Sequence, residues 1–297
     1  MAIYHFVNPT KGIRLDKFLV EQCPDLSRSR IQKLITDSYA TINDIPGKAG
    51  VKLEIGDKVS LTLPAPAIPA AEAIPLNIVY EDSNITVINK PAGLVVHPAP
   101  GHLDQTLFNA IISRYPELVP KDSLRAGIVH RLDKDTSGLI VIAKNDAVLE
   151  DLQSQFKSRT VTRKYLVLVH GHVKSREGEI TASIGRNPRM RQRMAIVSDG
   201  KDASTLFHVM EYIGNYTLLE LTLLTGRTHQ IRIHLASIGH PVAGDATYGR
   251  KIDFLSRQFV HACILGFNLP GSEKYVEFKS ELPDDLKQAL EQISAGH

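Results

Sequence analysis

Residues 127–144 read GIVHRLDKDTSGLIVIAK, a polar turn that runs directly into an apolar segment. Residues 139–142, LIVI, follow Gly138 without interruption, and a run this apolar predicts a buried strand. The polar cluster at its start should therefore be held by core structure. Asp133 lies in that cluster, shortly after Arg131. A carboxylate fixed at the edge of a rigid core is suited to chemistry, although a structural ion pair with Arg131 would look the same in sequence.

The composition is that of an ordinary globular protein. The chain has 297 residues, 43% of them hydrophobic, which allows one large domain or two smaller ones. The net charge of +3 is too mild to identify a nucleic-acid partner by itself. Cys23 and Cys263 do not form a CxxC pair, so neither a disulfide framework nor a cysteine metal site is expected. With no signal peptide and no membrane-length apolar run, we expect a soluble cytoplasmic protein.

A proline-rich segment divides the sequence. Residues 64–75, PAPAIPAAEAIP, favour extended structure and a semi-rigid spacer. They predict a boundary between a small module, residues 1–63, and a larger module, residues 76–297.

The small module has the pattern of two helices and short strands. Ser27 is a suitable N-cap for the segment SRSRIQKLI, whose apolar residues repeat at i, i+3 and i+4. Its cations, Arg28, Arg30 and Lys33, should then face solvent. They form an anion-binding surface or only keep the helix soluble, and the pattern leaves both interpretations open.

The larger module is predicted to be α+β. Strand candidates are residues 85–89, 139–143, 165–169, 206–210 and 218–224. Helix candidates are residues 106–115, 147–157, 229–238 and 284–293. Because strands and helices do not alternate regularly, a mixed, mostly antiparallel sheet is expected rather than a doubly wound parallel one.

A second polar cluster, residues 225–235 with the sequence TGRTHQIRIHL, follows one of these strands. Thr228 could cap a helix that Gly239 ends, and Arg232 could then reach a site at the helix start. His229 and His234 are five positions apart, whereas helical metal ligands are normally three or four apart. Hydrogen-bonding histidines are therefore expected here, not a metal site.

Two basic segments suit phosphate contact. Residues 185–193, GRNPRMRQR, contain Arg186, Arg189, Arg191 and Arg193 and no acid, which predicts an exposed cationic loop. A merely solvated loop is the alternative. Residues 157–164, KSRTVTRK, lead into a strand that begins at Tyr165. No P-loop, GxGxxG or GxSxG motif occurs, so nucleotide-dependent and serine-hydrolase chemistry lack their usual signals.

The run HRLD at 130–133, continued by TSGL at 136–139, resembles the signature of the RluA family of RNA pseudouridine synthases. The resemblance extends to NKPAGLVVHP at 89–98, RKY at 163–165, the segment 225–234, and HPVAGD at 240–245. The segments HPAPGH and RAGIVHRLDKDTSGL make it most similar to the RluD branch. Together these motifs cover most of residues 76–270.

Residues 13–63 resemble the RNA-binding domain of small-subunit ribosomal protein S-four, the alpha-L motif. They depart from it where that domain usually has a Gly and a basic residue, because Ser38-Tyr39-Ala40 stands there.

The family resemblance implies a pseudouridine synthase fold, an α+β domain with a mixed, mostly antiparallel sheet, and isomerisation of specific uridines in structured RNA. The expected substrate is a stem-loop of large-subunit (23S) ribosomal RNA, either free or in an assembling subunit. Neither a metal nor an organic cofactor is implied, and we expect a monomer with no DNA or membrane partner.

The resemblance also implies residue roles. Asp133 should be the catalytic aspartate, acting either as a nucleophile at C1′ or as a base at C2′. Tyr165 should stack on the uracil, and Arg232 should pair with Asp133 and keep it ionised. Arg131 should enter the RNA where the flipped base had been.

Two other functions compete with this hypothesis. One is an RNA-binding or ribosome-assembly factor that keeps the fold without turnover. The other is a nucleoside hydrolase, which would need a second carboxylate or a metal to activate water, and Asp135 and Asp245 are only weak candidates for that role.

Overall fold

The computed structural model describes residues 2–64, 69–98, 104–119 and 126–295. The chain divides into two compact units, Met1–Ala67 and Ile68–His297. Within the proline-rich segment, residues 69–75 form neither helix nor strand, and residues 65–68 lie outside the described part. The HPAPGH motif lies partly outside it at residues 99–102, as does Arg125 of the motif that precedes Asp133.

The first unit packs two helices on a small antiparallel sheet. Its described elements are β1 Ala2–Val7, α1 Leu15–Gln22, α2 Arg28–Thr36, β2 Ala40–Ile42, β3 Ile45–Pro46 and β4 Lys58–Leu63. The strand order is β1-β4-β2-β3. Ile31 and Leu34 of α2 enter the core, as their spacing predicts, and Ser27 Oγ accepts a hydrogen bond from Arg30 N. Strand β1 was not predicted, because most of its side chains are exposed and its sequence does not alternate.

The segment that departs from the S-four-like motif, Ser38-Tyr39-Ala40, begins with an unusual backbone conformation. Ser38 follows α2 with φ 63°, in the left-handed region that glycine adopts most easily. Its N–H donates to Ile35 O, and Tyr39 N donates to Leu34 O, so these bonds close the end of the helix. The turn is therefore formed by a serine, whereas the motif that this segment resembles usually has glycine there.

The second unit contains a nine-stranded sheet in its described residues. Its strands are β5 Ile78–Glu81, β6 Ile85–Lys90, β7 Ser137–Ala143, β8 Thr162–His170, β9 Glu177–Thr181, β12 Ser204–Ile213, β13 Tyr216–Leu223, β14 Val260–Asn268 and β15 Tyr275–Lys279. A separate hairpin consists of β10 Ile184–Arg186 and β11 Met194–Ile196. Its helices are α3 Leu107–Arg114, α4 Asp146–Ser158, α5 Gln230–Ser237 and α6 Asp284–Ala295, with a short 3-10 turn at Pro116–Leu118.

The sheet is mixed and mostly antiparallel, which confirms the predicted fold class. Its strand order is β5-β6-β7-β14-β8-β13-β12-β9, and β15 pairs with β14. The one parallel pair in the described sheet is β7 with β14, where Gly138 lies opposite Ala262. A Cβ on Gly138 would lie 2.3 Å from Ala262 O, so only glycine permits this approach. The loop that carries Asp133 therefore enters the centre of the sheet.

The predicted strand at 139–143 is confirmed. It forms most of β7, in which all seven residues are buried. Leu132, just before Asp133, is buried in a hydrophobic cluster to which β8, β13 and α5 contribute. Tyr165 of β8 and Ile231 of α5 belong to the same cluster. Burial of a leucine side chain contributes about 2 kcal/mol, so this packing anchors the loop at one end. Core packing on both sides of the loop therefore holds Asp133 in place.

Candidate active site

Two cations hold the loop that carries Asp133. Lys90, which is fully buried, donates from Nζ to Lys134 O at 3.0 Å and also to the carbonyls of Pro91 and Leu94. Arg257 donates from Nη1 to Asp135 O at 3.0 Å. These hydrogen bonds fix the backbone of the two residues that directly follow Asp133. The position of Asp133 is therefore set by the fold.

Buried charge alters Lys90 itself. Burial lowers its pKa to about 7, and the nearby carboxylates of Asp135 and Asp133 act against that change. Because the pKa of Lys90 lies near 7, the stability of the loop should depend on pH.

The Asp133 carboxylate is partly exposed and faces two basic groups. Arg232 Nη1 lies 3.4 Å from Asp133 Oδ2, and His229 Nε2 lies 4.0 Å from the same oxygen. Its side chain is 19% exposed, so it is accessible from a cavity but largely shielded from bulk water. Asp133 O accepts a hydrogen bond from Thr136 N, which closes the turn.

Arg232 has a second and closer partner. Its Nε and Nη2 donate to the two oxygens of the buried Asp245, at 2.7 and 2.9 Å. Burial alone raises the pKa of Asp245, but the hydrogen bonds and charge of Arg232 outweigh burial and lower it. Burial acts to lower the pKa of Arg232, and its two carboxylate partners outweigh burial and raise it. The guanidinium is thus held by Asp245 and directed at Asp133.

Tyr165, near the start of β8, lines the same cavity. Its side chain is 6% exposed. Burial raises the pKa of Tyr165 to about 12, and the nearby Arg163 partly offsets that rise. The phenol is therefore protonated at neutral pH.

His229 and Tyr248 form a further polar pair at the site. Tyr248 Oη lies 2.8 Å from His229 Nδ1 and accepts a hydrogen bond from Met194 N at 3.1 Å. In the tautomer in which the Tyr248 hydroxyl donates to His229 Nδ1, Nε2 carries the imidazole proton and faces Asp133. Burial lowers the pKa of His229, and Asp133 acts against burial. The imidazole is a neutral donor at neutral pH.

The start of α5 differs from the predicted one. Thr228 does not cap it; His229 occupies the N-cap with φ 57° and no capping side chain. Gln230 instead accepts hydrogen bonds from Thr225 Oγ1 and Arg227 N, and donates to Ser204 O. The prediction of a Thr228 cap was wrong because the glutamine side chain satisfies the turn in its place. The left-handed turn directs His229 toward Asp133.

The structure brings Asp133, Tyr165, Arg232 and Arg131 together around one cavity. Arg131 is exposed and lines both this cavity and an adjoining groove. Arg186, Arg189, Arg191 and Arg193 lie in the β10–β11 hairpin and are not among the described residues that line the cavity. Arg193 is half-buried and the other three are exposed. Arg28, Arg30 and Lys33 are exposed on α2 of the first unit.

Three features of the site were not predicted from the sequence. Asp245 appeared only as a weak candidate, because nothing in HPVAGD shows that its carboxylate is buried against Arg232. Tyr248 received no role, although its position in the motif region was a signal. The sequence places Arg163 in a basic segment and in the RKY motif but does not predict that its side chain, which is 8% exposed, lines the cavity.

No arrangement of three or more His, Cys, Asp or Glu side chains suitable for a metal ion is found within the described ranges. In that same part of the chain, no helix is both long and apolar enough to span a membrane.

Residues 84–237 match the family model described as RNA pseudouridylate synthase. The chain is 46% identical over 288 residues to "Uncharacterized RNA pseudouridine synthase YlyB" of Bacillus subtilis, with 95% of each chain covered. It is 43% identical over 296 residues to "Ribosomal large subunit pseudouridine synthase D" of Nitrosomonas europaea, with 95% of this chain and 85% of the relative covered. The solved structure of human RNA pseudouridylate synthase domain containing 1 is 30% identical, with a TM-score of 0.58 over 74% of this chain and 96% of that chain.

Proposed function

Since the chain belongs to the RluA family of RNA pseudouridine synthases, we propose that it isomerises specific uridines in a stem-loop of large-subunit (23S) ribosomal RNA. As a family member it is an isomerase that acts on RNA. The ribosomal target is supported by relatives named ribosomal large subunit pseudouridine synthase D, from Nitrosomonas, Zymomonas and Yersinia. Other relatives of comparable identity, including the Bacillus protein, are named uncharacterized RNA pseudouridine synthases, without a target RNA. Family membership favours this activity over a non-enzymatic RNA-binding protein or a nucleoside hydrolase.

One observation carries the proposed mechanism: a shielded carboxylate, Asp133, lies 3.4 Å from a guanidinium and shares a cavity with a buried tyrosine. In the reaction, the N1–C1′ bond of uridine breaks, the uracil turns, and C5 bonds to C1′. C5 loses a proton and N1 gains one, so the product is an isomer. Positive charge develops on the sugar as the first bond breaks, and a fixed carboxylate stabilises that charge.

Asp133 can serve in either of two ways. It attacks C1′ and forms a covalent sugar ester, or it removes the C2′ proton and gives a glycal. Both routes require the ionised carboxylate. Arg232 places its positive charge beside this carboxylate, and Asp245 holds Arg232 in position.

Tyr165 offers its ring to the flipped uracil as a stacking surface. Because its pKa is about 12, its hydroxyl remains protonated at neutral pH. If this residue takes the C5 proton, its own proton must leave in the same step.

The exposed cations are proposed to bind the RNA. Arg131, at the lip of the cavity, fills the space that the flipped base leaves in the RNA. The arginines of the β10–β11 hairpin contact phosphates, and Arg28, Arg30 and Lys33 of the first unit form a further anion-binding surface. Specificity then comes mainly from RNA shape.

Mapping of pseudouridines tests this function. Ribosomal RNA is sequenced for pseudouridine from cells with and without the gene, and from cells complemented with wild type or Asp133→Asn. We expect specific 23S positions to lose the modification, wild type to restore it and Asp133→Asn not to do so. Loss of sites only in another RNA would refute the ribosomal target, and loss of none would refute the activity.

A further inference from the structure

Arg163 is a buried cation without a carboxylate partner in the described part of the chain. It lies in β8, two residues before Tyr165, and its side chain is 8% exposed. Its Nη2 donates to Leu223 O at 3.0 Å, and the guanidinium carbon lies 5.5 Å from the centre of the Phe156 ring. Its Nε is buried and has no hydrogen-bond partner among the described residues.

This arrangement is costly for a folded protein. An arginine keeps its charge in proteins, and burial of a charge is unfavourable unless it is paired and hydrogen-bonded. Burial lowers the pKa of Arg163 from its usual value, as expected for a cation that lacks a counter-ion. Arg232 lines the same cavity and has two carboxylate partners, whereas Arg163 has none among the described residues.

Arg163 separates the catalytic cavity from a cationic groove and lines both. The groove has a volume of about 560 Å³. Its cations are Arg131, Lys157, Arg159, Arg163 and Arg227, and no Asp or Glu is found among the described residues that line it. A surface of one sign that adjoins an unpaired buried arginine is suited to a polyanion.

Gly226, which also lines both the cavity and the groove, lies next to the Arg163 guanidinium. A Cβ at Gly226 would lie 2.9 Å from Arg163 Nη1, so a larger residue would press on the guanidinium. Because Gly226 has no side chain, a ligand in the groove has room to bind the Arg163 guanidinium. Its planar set of donors matches the oxygens of a phosphodiester.

We propose that Arg163 binds the phosphodiester of the RNA strand next to the target nucleotide, and that the groove holds the strand beyond it. This inference rests on the proposed function, because the strand continues from the nucleotide in the catalytic cavity. One phosphate then supplies the counter-ion that Arg163 lacks among the described residues. The other groove cations contact the phosphates that follow.

The test uses the RNA stem-loop that carries the mapped uridine and three full-length proteins: wild type, Arg163→Gln and Arg176→Gln. Arg176 is an exposed arginine outside the groove, so its replacement controls for net charge. We expect Arg163→Gln to bind about tenfold more weakly in 0.1 M salt, and its plot of log K against log salt to lose a slope of about 0.7–0.9. The control should keep wild-type affinity and slope. Wild-type affinity and slope in Arg163→Gln would overturn the inference.

A phosphate substitution identifies the bound phosphodiester. Each phosphodiester within two nucleotides of the target uridine is replaced in turn by an uncharged methylphosphonate. We expect one position at which the substitution weakens wild-type binding about tenfold but leaves Arg163→Gln unaffected. Equal losses of affinity in both proteins would overturn the assignment. If Arg163→Gln does not fold, wild type alone decides, because the absence of any sensitive position would also overturn it.

Activity measurements test the proposed function, whereas binding measurements test the phosphate subsite at Arg163. Failure of every protein to form pseudouridine in this RNA would count against the proposed function. Affinity, salt slope and phosphate sensitivity test the subsite without any turnover.

Discussion

Arg232 holds both oxygens of Asp245, at 2.7 and 2.9 Å, and reaches Asp133 only with its remaining Nη1, at 3.4 Å. The tighter pair is buried on both sides, with side chains that are 9% and 0% exposed. Asp245 therefore fixes the direction from which the guanidinium approaches the Asp133 carboxylate, and we propose that it acts as a positioning residue.

Replacement of Asp245 by Asn should reduce both stability and activity. Breaking a buried ion pair leaves Arg232 uncompensated, which costs about 3 kcal/mol. Urea unfolding measures this loss, and pseudouridine formation at a temperature where the variant is folded measures the effect on the site. The exposed Asp253 is the control, since Asp253→Asn should change neither. An unchanged unfolding free energy in Asp245→Asn would contradict this account of the pair.

Lys90 should make stability depend on pH between 7 and 9. Its folded pKa of about 7 lies below its unfolded value, so the unfolded chain binds the extra proton in that range. The burial cost is fully present below pH 7 and is relieved as the pH rises, so stability should increase by about 2 kcal/mol between pH 7 and 9.

The comparison is with Lys90→Met, measured by urea unfolding at each pH. The variant should be less stable at every pH, because three carbonyls lose their donor, and it should lack the rise. The same rise in both proteins would exclude Lys90 as its source.

Tyr248→Phe should slow turnover without unfolding the protein. The variant loses the hydrogen bonds to His229 and Met194, each worth about 1 kcal/mol, so His229 is no longer held with Nε2 toward Asp133. We expect the single-turnover rate to fall roughly tenfold. Tyr212→Phe is the control, because that hydroxyl bonds Val173 O outside the cavity. Equal rates for Tyr248→Phe and wild type would show that this pair does not orient the site.

Ser38→Gly should stabilise the first unit by about 1 kcal/mol. Ser38 has φ 63°, which costs a residue with a Cβ but not glycine. Ser38→Ala keeps the Cβ and should not stabilise the unit, which makes it the control at the same position. Hydrogen exchange of the α2 amides measures the change. Equal protection in the two variants would show that the backbone is not strained there.

The arginine hairpin should contribute to RNA affinity through charge. Replacement of Arg189, Arg191 and Arg193 by Ala should weaken binding and reduce the salt slope, by about 0.7–0.9 for each phosphate that the variant no longer neutralises. Triple replacement of Lys274, Lys279 and Lys287, which lie in the C-terminal part of the chain, removes the same charge elsewhere. An unchanged slope in the arginine variant would leave the hairpin as a solvated surface.

The fold was predictable where sequence patterns are local. The apolar run of β7 predicted its burial, and Ser27 predicted the start of α2. Strand β1 could not be found, because it is held by its ladder with β4 and has few buried side chains. Its pairing depends on residues about sixty positions away, which no local pattern records.

The site divides in the same way. The motifs singled out Asp133, Tyr165 and Arg232, and the fold brings them to one cavity. The partners of those residues were not predictable, because the burial of Asp245 and the left-handed turn at His229 depend on packing between distant segments. The buried Arg163 Nε, which has no hydrogen-bond partner among the described residues, is likewise visible only in three dimensions.

The most direct test of the central claim follows the hydrogen that C5 loses. Large-subunit ribosomal RNA containing [5-³H]uridine is incubated with purified wild type, Asp133→Asn or Asp135→Asn, and tritium released to water is counted. We predict release by wild type, release within about threefold of it by Asp135→Asn, and none above background by Asp133→Asn, because in the proposed mechanism Asp133 alone acts on the sugar. Tritium release by folded Asp133→Asn at the wild-type rate would contradict the account.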